Sequence, residues 1–161
     1  FVTAYRNLTR IPKPNFETVQ LAIVLDNVTN LLTSDRNRCE TEIRYEVVPS
    51  HLTLTADHAM IEQVLINLGL NACQAMGDRP DGRVIFRASM QHRGSVQIEV
   101  EDNGPGIDED AMEKIFIPFF TTKREGSGIG LSLSRQIMRL HKGSITARSI
   151  PGKQTVFTLR F

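Results

Sequence analysis

Neither sign of charge is in excess in this sequence: 19 Lys and Arg against 18 Asp and Glu leave a formal net charge of +1 over 161 residues. No broad positive field exists to draw in nucleic acid or an anionic membrane surface, so bound phosphate must be met by local backbone and side-chain groups. Cysteine is scarce: Cys39 and Cys73 stand far apart, in no metal-ligand spacing. They read as a surface thiol and a buried helix thiol in a reducing cytoplasm. No apolar run approaches the length that crosses a bilayer, and no signal peptide is visible. The four histidines, His51, His58, His92 and His141, show neither metal pairing nor a nucleophilic triad. No serine lies in a nucleophile elbow, and no glycine-rich run ends in the Gly-Lys-Ser/Thr of a Walker loop. Internal repeats and low-complexity tracts are absent too.

What is present suits one compact domain with a real core. Phe1, Val2, Tyr5 and Leu8 follow helical spacing until Ile11-Pro12-Lys13-Pro14 stops them. Residues 1–15 therefore read as a helix tail and linker, and 16–161 as the main domain. Phe1 stands in mid-pattern with no methionine, as in a piece of a longer protein whose remainder could hold a membrane anchor. Leu21, Leu25, Val28 and Leu32 mark an amphipathic helix; Ile43 to Val48 and Leu52 to Thr55 look like short strands. The strongest helix signal runs from His58 to Met76, with Ile61, Val64, Leu65, Leu68, Ala72 and Ala75 on one stripe. Gln63, Asn67 and Asn71 form a row along its edge. Strands are expected over Val84 to Met90 and Val96 to Glu101, then a short helix from Asp108 to Phe116 and an irregular segment from Pro118 to Ser127. A helix over Ile129 to His141 and a hairpin of Ile145 to Ser149 with Val156 to Phe161 complete the chain.

Three pieces carry chemistry. Asp102 stands where an alternating strand meets Gly104 and Gly106. A carboxylate there can accept from an exocyclic amine such as adenine N6, whereas guanine would turn a carbonyl toward it. Charged hydrogen bonds contribute roughly 1.5–3 kcal/mol, so losing one should weaken binding about tenfold or more. Taken alone, Asp-Asn-Gly is equally an ordinary turn. Asn67 and Asn71 project beside the apolar stripe, and two amides there are costly unless satisfied. An amide oxygen suits magnesium when phosphates supply the remaining ligands and the negative charge; bonding to a neighbouring loop would satisfy both asparagines as well. Gly126-Ser127-Gly128-Ile129-Gly130 opens a helix whose free amides and dipole could receive phosphate. Before it, Thr121-Thr122-Lys123-Arg124 offers hydroxyls and cations, or simply a solvated loop. Phe116, Phe119 and Phe120 could anchor that loop in the core.

Together, Gln63-x-x-x-Asn67-x-x-x-Asn71-Ala72, Asp102-x-Gly104-x-Gly106, Phe116-x-x-Phe119-Phe120-Thr121-Thr122-Lys123 and Gly126-x-Gly128-x-Gly130-Leu131 resemble the N, G1, F and G2 boxes of bacterial sensor histidine kinases. Tyr5 to Pro14 resembles the end of the dimerisation helix in the nitrogen-regulation-type subgroup, and the short Thr-Thr-Lys lid points the same way. The resemblance implies the Bergerat fold: a two-layer α/β sandwich whose mixed, mostly antiparallel sheet is covered on one face by about three helices. It implies ATP and Mg2+ as cofactors. Asp102 would bind adenine N6 with Thr155 nearby, Asn71 would coordinate magnesium, and Asn67 would lie close to the phosphates. Thr122 and Lys123 would reach the terminal phosphates. Gly128 and Gly130 would form the phosphate-facing turn. Gln63, Ile107, Phe116, Phe119, Thr121, Ser127, Ile129 and Leu131 complete the implied nucleotide site with Gly104, Gly106 and Gly126. Two departures stand out: Gln154 replaces the usual glycine before Thr155, and no histidine is followed by an acidic residue as a phosphoacceptor would be.

The expectation is thus a catalytic domain that passes a γ-phosphoryl group to a histidine on a separate dimerisation domain, for relay to a response regulator receiver domain. No nucleic acid and no direct membrane contact are expected, and the location is cytoplasmic. Serine kinases and ATPases of this fold place a glutamate general base where Asn67 stands. An amide cannot take a proton, which disfavours an anti-sigma-like serine kinase. A regulatory nucleotide-binding module without transferase activity is the other alternative, and Thr122 with Lys123 argues against it.

Overall fold

A computed structural model describes residues 10–34, 41–122 and 128–161. Alternation along the strands decides which side chains enter the core. Strand β4 (Arg83–Met90) buries Val84, Phe86 and Ala88; β5 (Val96–Asp102) buries Val96, Ile98, Val100 and Asp102. On β7 (Gln154–Arg160), Thr155, Phe157 and Leu159 are buried in the same register. With β2 (Glu42–Val48) and β6 (Ser144–Ile150) at the edges, these make a five-stranded sheet of order β2-β4-β5-β7-β6. The β2–β4 pair is parallel and the other pairs are antiparallel. Helices α1 (Leu21–Ser34), α2 (His58–Met76) and α4 (Gly130–Leu140) share one apolar core with the inward strand residues. This is the expected two-layer α/β sandwich.

Helix α2 earns its length from its stripe. Ile61, Val64, Leu65 and Leu68 are buried, and Asp57 caps the start, its Oδ1 accepting from the Met60 amide at 3.1 Å. The outer face of the sheet is polar. Arg87 reaches Glu101 at 2.5 Å and Glu46 at 3.1 Å, matching the alternation of charged residues along β4 and β5.

Several details differ from the sequence expectation. A strand β1 (Glu17–Gln20) pairs antiparallel with β3 (Thr53–Ala56) in a separate two-stranded sheet. Only Val19 of its four residues points inward, too little periodicity to register as a strand. The helix expected from Asp108 to Phe116 is one turn, α3 (Glu109–Met112). Beyond it the backbone tightens to three-residue bonds, Lys114 to Ala111 and Ile117 to Lys114. Strand β5 includes Asp102 rather than ending at Glu101. Cys73 is buried, but it is disulfide-bonded rather than a free thiol. Helical spacing gives the burial of Cys73; pairing is a tertiary fact that spacing does not contain. The helix expected over Phe1 to Leu8 lies outside the described residues, as does Cys39. None of the helices among the described residues is long and apolar enough to cross a membrane.

Candidate active site

The sheet, α2 and the start of α4 enclose a cleft of about 540 Å³. Its walls hold Asn67, Asn71, Asp102, Gly106, Ile107, Thr121, Thr122, Gly128, Gly130, Leu131 and Thr155. Residues spread over 89 positions of sequence thus meet in one cavity, because β5 and β7 are neighbours and α2 lies across them. The cleft also takes apolar walls from Leu70, Ile115, Phe120 and Phe157. The sequence reading named only Phe120 among these, within the F-box resemblance and as a loop anchor, because an apolar residue by itself reads as core.

At the sheet end, Asp102 and Thr155 are direct cross-strand partners. Both are buried, at 5% and 4% exposure, at the end of an otherwise apolar rank of side chains. Burial raises the Asp102 carboxyl above the usual aspartate range; the Gly104 amide, donating to Oδ1 at 2.9 Å, opposes this, and Glu101 adds a smaller upward push. Asp-Asn-Gly is also a turn. Asn103 Oδ1 accepts from the Arg83 amide at 2.7 Å, and Nδ2 donates to the Asp81 carbonyl at 2.8 Å. Asn103 therefore holds the turn while Asp102 faces the cleft. Gly106 has φ +80°, and a Cβ there would lie 2.8 Å from the Ile150 carbonyl oxygen. That close approach lets Gly152 donate to the Pro105 carbonyl at 2.6 Å, zipping the loop to the β6–β7 hairpin.

At the helix end, Asn67 is packed against the first turn of α4. Its Nδ2 donates to Ser134 Oγ at 3.2 Å, and Ser134 donates to the Gly130 carbonyl at 2.8 Å. Asn71 stands one turn further along the same wall. Gly128 has φ +71°, and a Cβ there would overlap the Phe119 backbone, 2.7 Å from its Cα. Phe119, itself at φ +68°, donates its amide to Gly128 at 2.8 Å, so these two residues close the stem of the intervening loop.

Other expected site residues fall outside the walls. Gln63 lines a separate groove with Asn15, Asp57 and Glu62. Phe116 stacks edge-on against Phe157 with centroids 6.5 Å apart, and the Arg135 guanidinium lies 5.7 Å over its ring. Gly104 is not among the lining residues and donates its amide to Asp102, and Ile129 is buried just before α4. Lys123, Gly126 and Ser127 are outside the described residues.

Residues 56–161 match the model of the histidine kinase-, DNA gyrase B- and HSP90-like ATPases, and the chain belongs to that family. It is 36% identical over 155 residues to the sensor histidine kinase ZraS of Salmonella typhimurium, covering 94% of this chain and 33% of ZraS. The chain thus spans about one third of the length of such curated relatives. The catalytic domain of histidine kinase ThkA superposes with a TM-score of 0.80 at 32% identity, covering 91% of this chain and 95% of that one. ThkA solved in complex with the response regulator TrrA gives 0.82 at 28% identity, covering 99% of this chain and 45% of that one. Full-length ShkA in complex with AMPPNP gives 0.85 at 26% identity, covering 99% and 34%. Sequence and fold alike are those of a two-component histidine kinase catalytic domain.

Proposed function

We propose that this domain holds Mg-ATP in the cleft and presents its γ-phosphoryl group to a histidine on a dimerisation domain, from which a response regulator receives it. One observation carries this reading: Asp102, Asn71 and the two positive-φ glycine turns converge on a single cavity. Its apolar walls suit a purine ring, and its one buried carboxylate suits the amine that distinguishes adenine. ShkA with bound AMPPNP and ThkA with TrrA support nucleotide and response-regulator partners for this chain.

In this reading Asp102 accepts from adenine N6 with Thr155 beside it. Asn71 offers an amide oxygen to magnesium. Among the described residues no cluster of three His, Cys, Asp or Glu could hold a metal. Magnesium keeps few protein ligands when phosphate oxygens supply the rest. When bound, magnesium neutralises charge on the terminal phosphates. Asn67 anchors the wall near the phosphates and Thr122 lines the same cleft, with Lys123 assigned to the transferred group by the sequence resemblance alone. Catalysis is then positioning and charge neutralisation. Asn67 lacks the basicity to activate water or a hydroxyl, which favours transfer to an imidazole over hydrolysis or serine phosphorylation.

The test is direct. The domain is mixed with its own dimerisation domain and γ-labelled ATP, and acid-labile, base-stable label on histidine is expected. Nucleotide binding without any transfer would instead favour a regulatory module.

A further inference from the structure

We infer that Ser149, which lies outside the cleft wall, sets the choice of nucleobase by fixing the direction of the Thr155 hydroxyl. The inference rests on the nucleotide reading above and adds a specificity determinant to it. Sheet register makes Ser149, Thr155 and Asp102 consecutive cross-strand neighbours on β6, β7 and β5. The next inward rank on the same three strands is Ala147, Phe157 and Val100. A polar rung therefore ends an apolar face, and Ser149 is its third member.

The hydroxyl of Ser149 is fully engaged. It accepts from the Ile107 amide at 2.8 Å, donates to the Gln154 carbonyl at 3.1 Å, and lies 3.2 Å from Thr155 Oγ1. A serine hydroxyl has one proton and two lone pairs. With the proton on Gln154 and one lone pair on Ile107, the remaining lone pair can only accept, so Thr155 donates to Ser149. Thr155 then shows the cleft lone pairs and no proton. Asp102, one strand over, likewise shows an acceptor. Two adjacent acceptors match the 6-amino group of adenine and oppose the 6-carbonyl of hypoxanthine or guanine. The Ile107 bond also pins the loop that carries Gly106 to the same serine. Ser149 is thus a positioning residue for both sides of the base pocket.

The test compares ATP with inosine triphosphate, which carries a carbonyl at position 6 and a proton on N1 where adenine has an amino group and a bare nitrogen. In Ser149→Ala, the Thr155 proton is released toward the cleft. The ATP-over-inosine-triphosphate preference should fall by about two- to tenfold, the scale of one hydrogen bond. Inosine triphosphate should bind unchanged or better. The same substitution in a Thr155→Val background should leave the preference unmoved, because the hydroxyl it redirects is gone. Should Ser149→Ala not fold, Ser149→Cys, close in size and a weak acceptor, should move the preference the same way. An equal loss of both nucleotides, an unchanged preference, or full additivity with Thr155→Val overturns the inference. If the parent domain binds neither nucleotide, the nucleotide reading itself fails and the inference falls with it.

Discussion

The two ends of the cleft are built by different means. At the end proposed for adenine, Asp102 and Thr155 are placed by sheet register, and the Gly106 loop is bonded to the hairpin beside it. At the end proposed for the phosphates, the Phe119 amide bonds the Gly128 carbonyl, and Asn67 of α2 bonds Ser134 of α4. In the proposed reading, selection of the base belongs to the sheet, whereas the phosphate end is built where α2 meets the start of α4.

The pair of positive-φ glycines gives the sharpest way to break that contrast. An L-residue in the left-handed region costs roughly 1–2 kcal/mol before any clash is counted. Gly106→Ala adds contact with the Ile150 carbonyl inside the zipped hairpin, so the cost falls on the whole fold. Its unfolding temperature should drop by several degrees, at about 2–4 °C per kcal/mol for a domain of this size. Gly128→Ala overlaps backbone as well, 2.4 Å from the Phe119 carbonyl carbon, but at the stem before α4 rather than beside the sheet hairpin. Its melting temperature should move little, while phosphoryl transfer to the dimerisation domain falls at least a hundredfold, roughly 3 kcal/mol at the barrier. Equal thermal losses in the two variants would show that the ends are not separable.

Asp102 comes next in size. Asp102→Ala should weaken ATP binding about tenfold or more and abolish preference over guanosine triphosphate while leaving the domain folded. A folded variant with parental ATP affinity would contradict that. Asp102→Asn separates binding from stability. Because burial raises the folded carboxyl above its unfolded value near 3.9, the native state binds the proton more tightly. The stability this contributes is full below about pH 3.9 and is lost as pH rises through the higher folded value. Above that folded value the buried charge costs stability, and Asp102→Asn should there melt higher than the parent without nucleotide. The difference should vanish on acidification below the unfolded value. At the other end, Asn71→Asp adds a negative charge beside the phosphates and should displace the magnesium dependence of nucleotide binding. A titration curve identical to the parent's would count against a metal role.

The same division explains what the residues revealed in advance. Asp102, Asn67 and Asn71 were legible because each is a polar residue set on or at the end of an apolar pattern, where only a partner justifies it. Two-residue and 3.6-residue periods located β4, β5, α2 and α4 for the same reason. Gln63 shares the row of Asn67 and Asn71 by spacing, yet it opens onto another groove: the first turn of α2 lies beside Asn15 and Asp57, beyond the reach of the cleft. Spacing gives the face of a helix but not how far the neighbouring layer extends along it. Ser149 carried no signal, since a serine near the end of a short strand is unremarkable until register sets it beside Thr155. Strand β1 and the disulfide at Cys73 were hidden likewise, because both depend on partners distant in sequence.

The smallest expected effect lies within the helix end, at Asn67 and Ser134. Ser134 is buried at 2% exposure and takes the Asn67 amide while donating to Gly130. If Asn67 serves the phosphates by fixing the start of α4, Ser134→Ala should imitate part of Asn67→Ala. Each hydrogen bond of this kind is worth about 0.5–1.5 kcal/mol, so ATP affinity should fall no more than roughly tenfold. In a double-mutant cycle the two substitutions should couple by about 1 kcal/mol, with the second adding little to the first. Base preference should not move, because the Asp102–Thr155 pair is untouched. Independent, additive losses would mean that Asn67 acts on the nucleotide directly and that α4 is placed by its apolar packing alone.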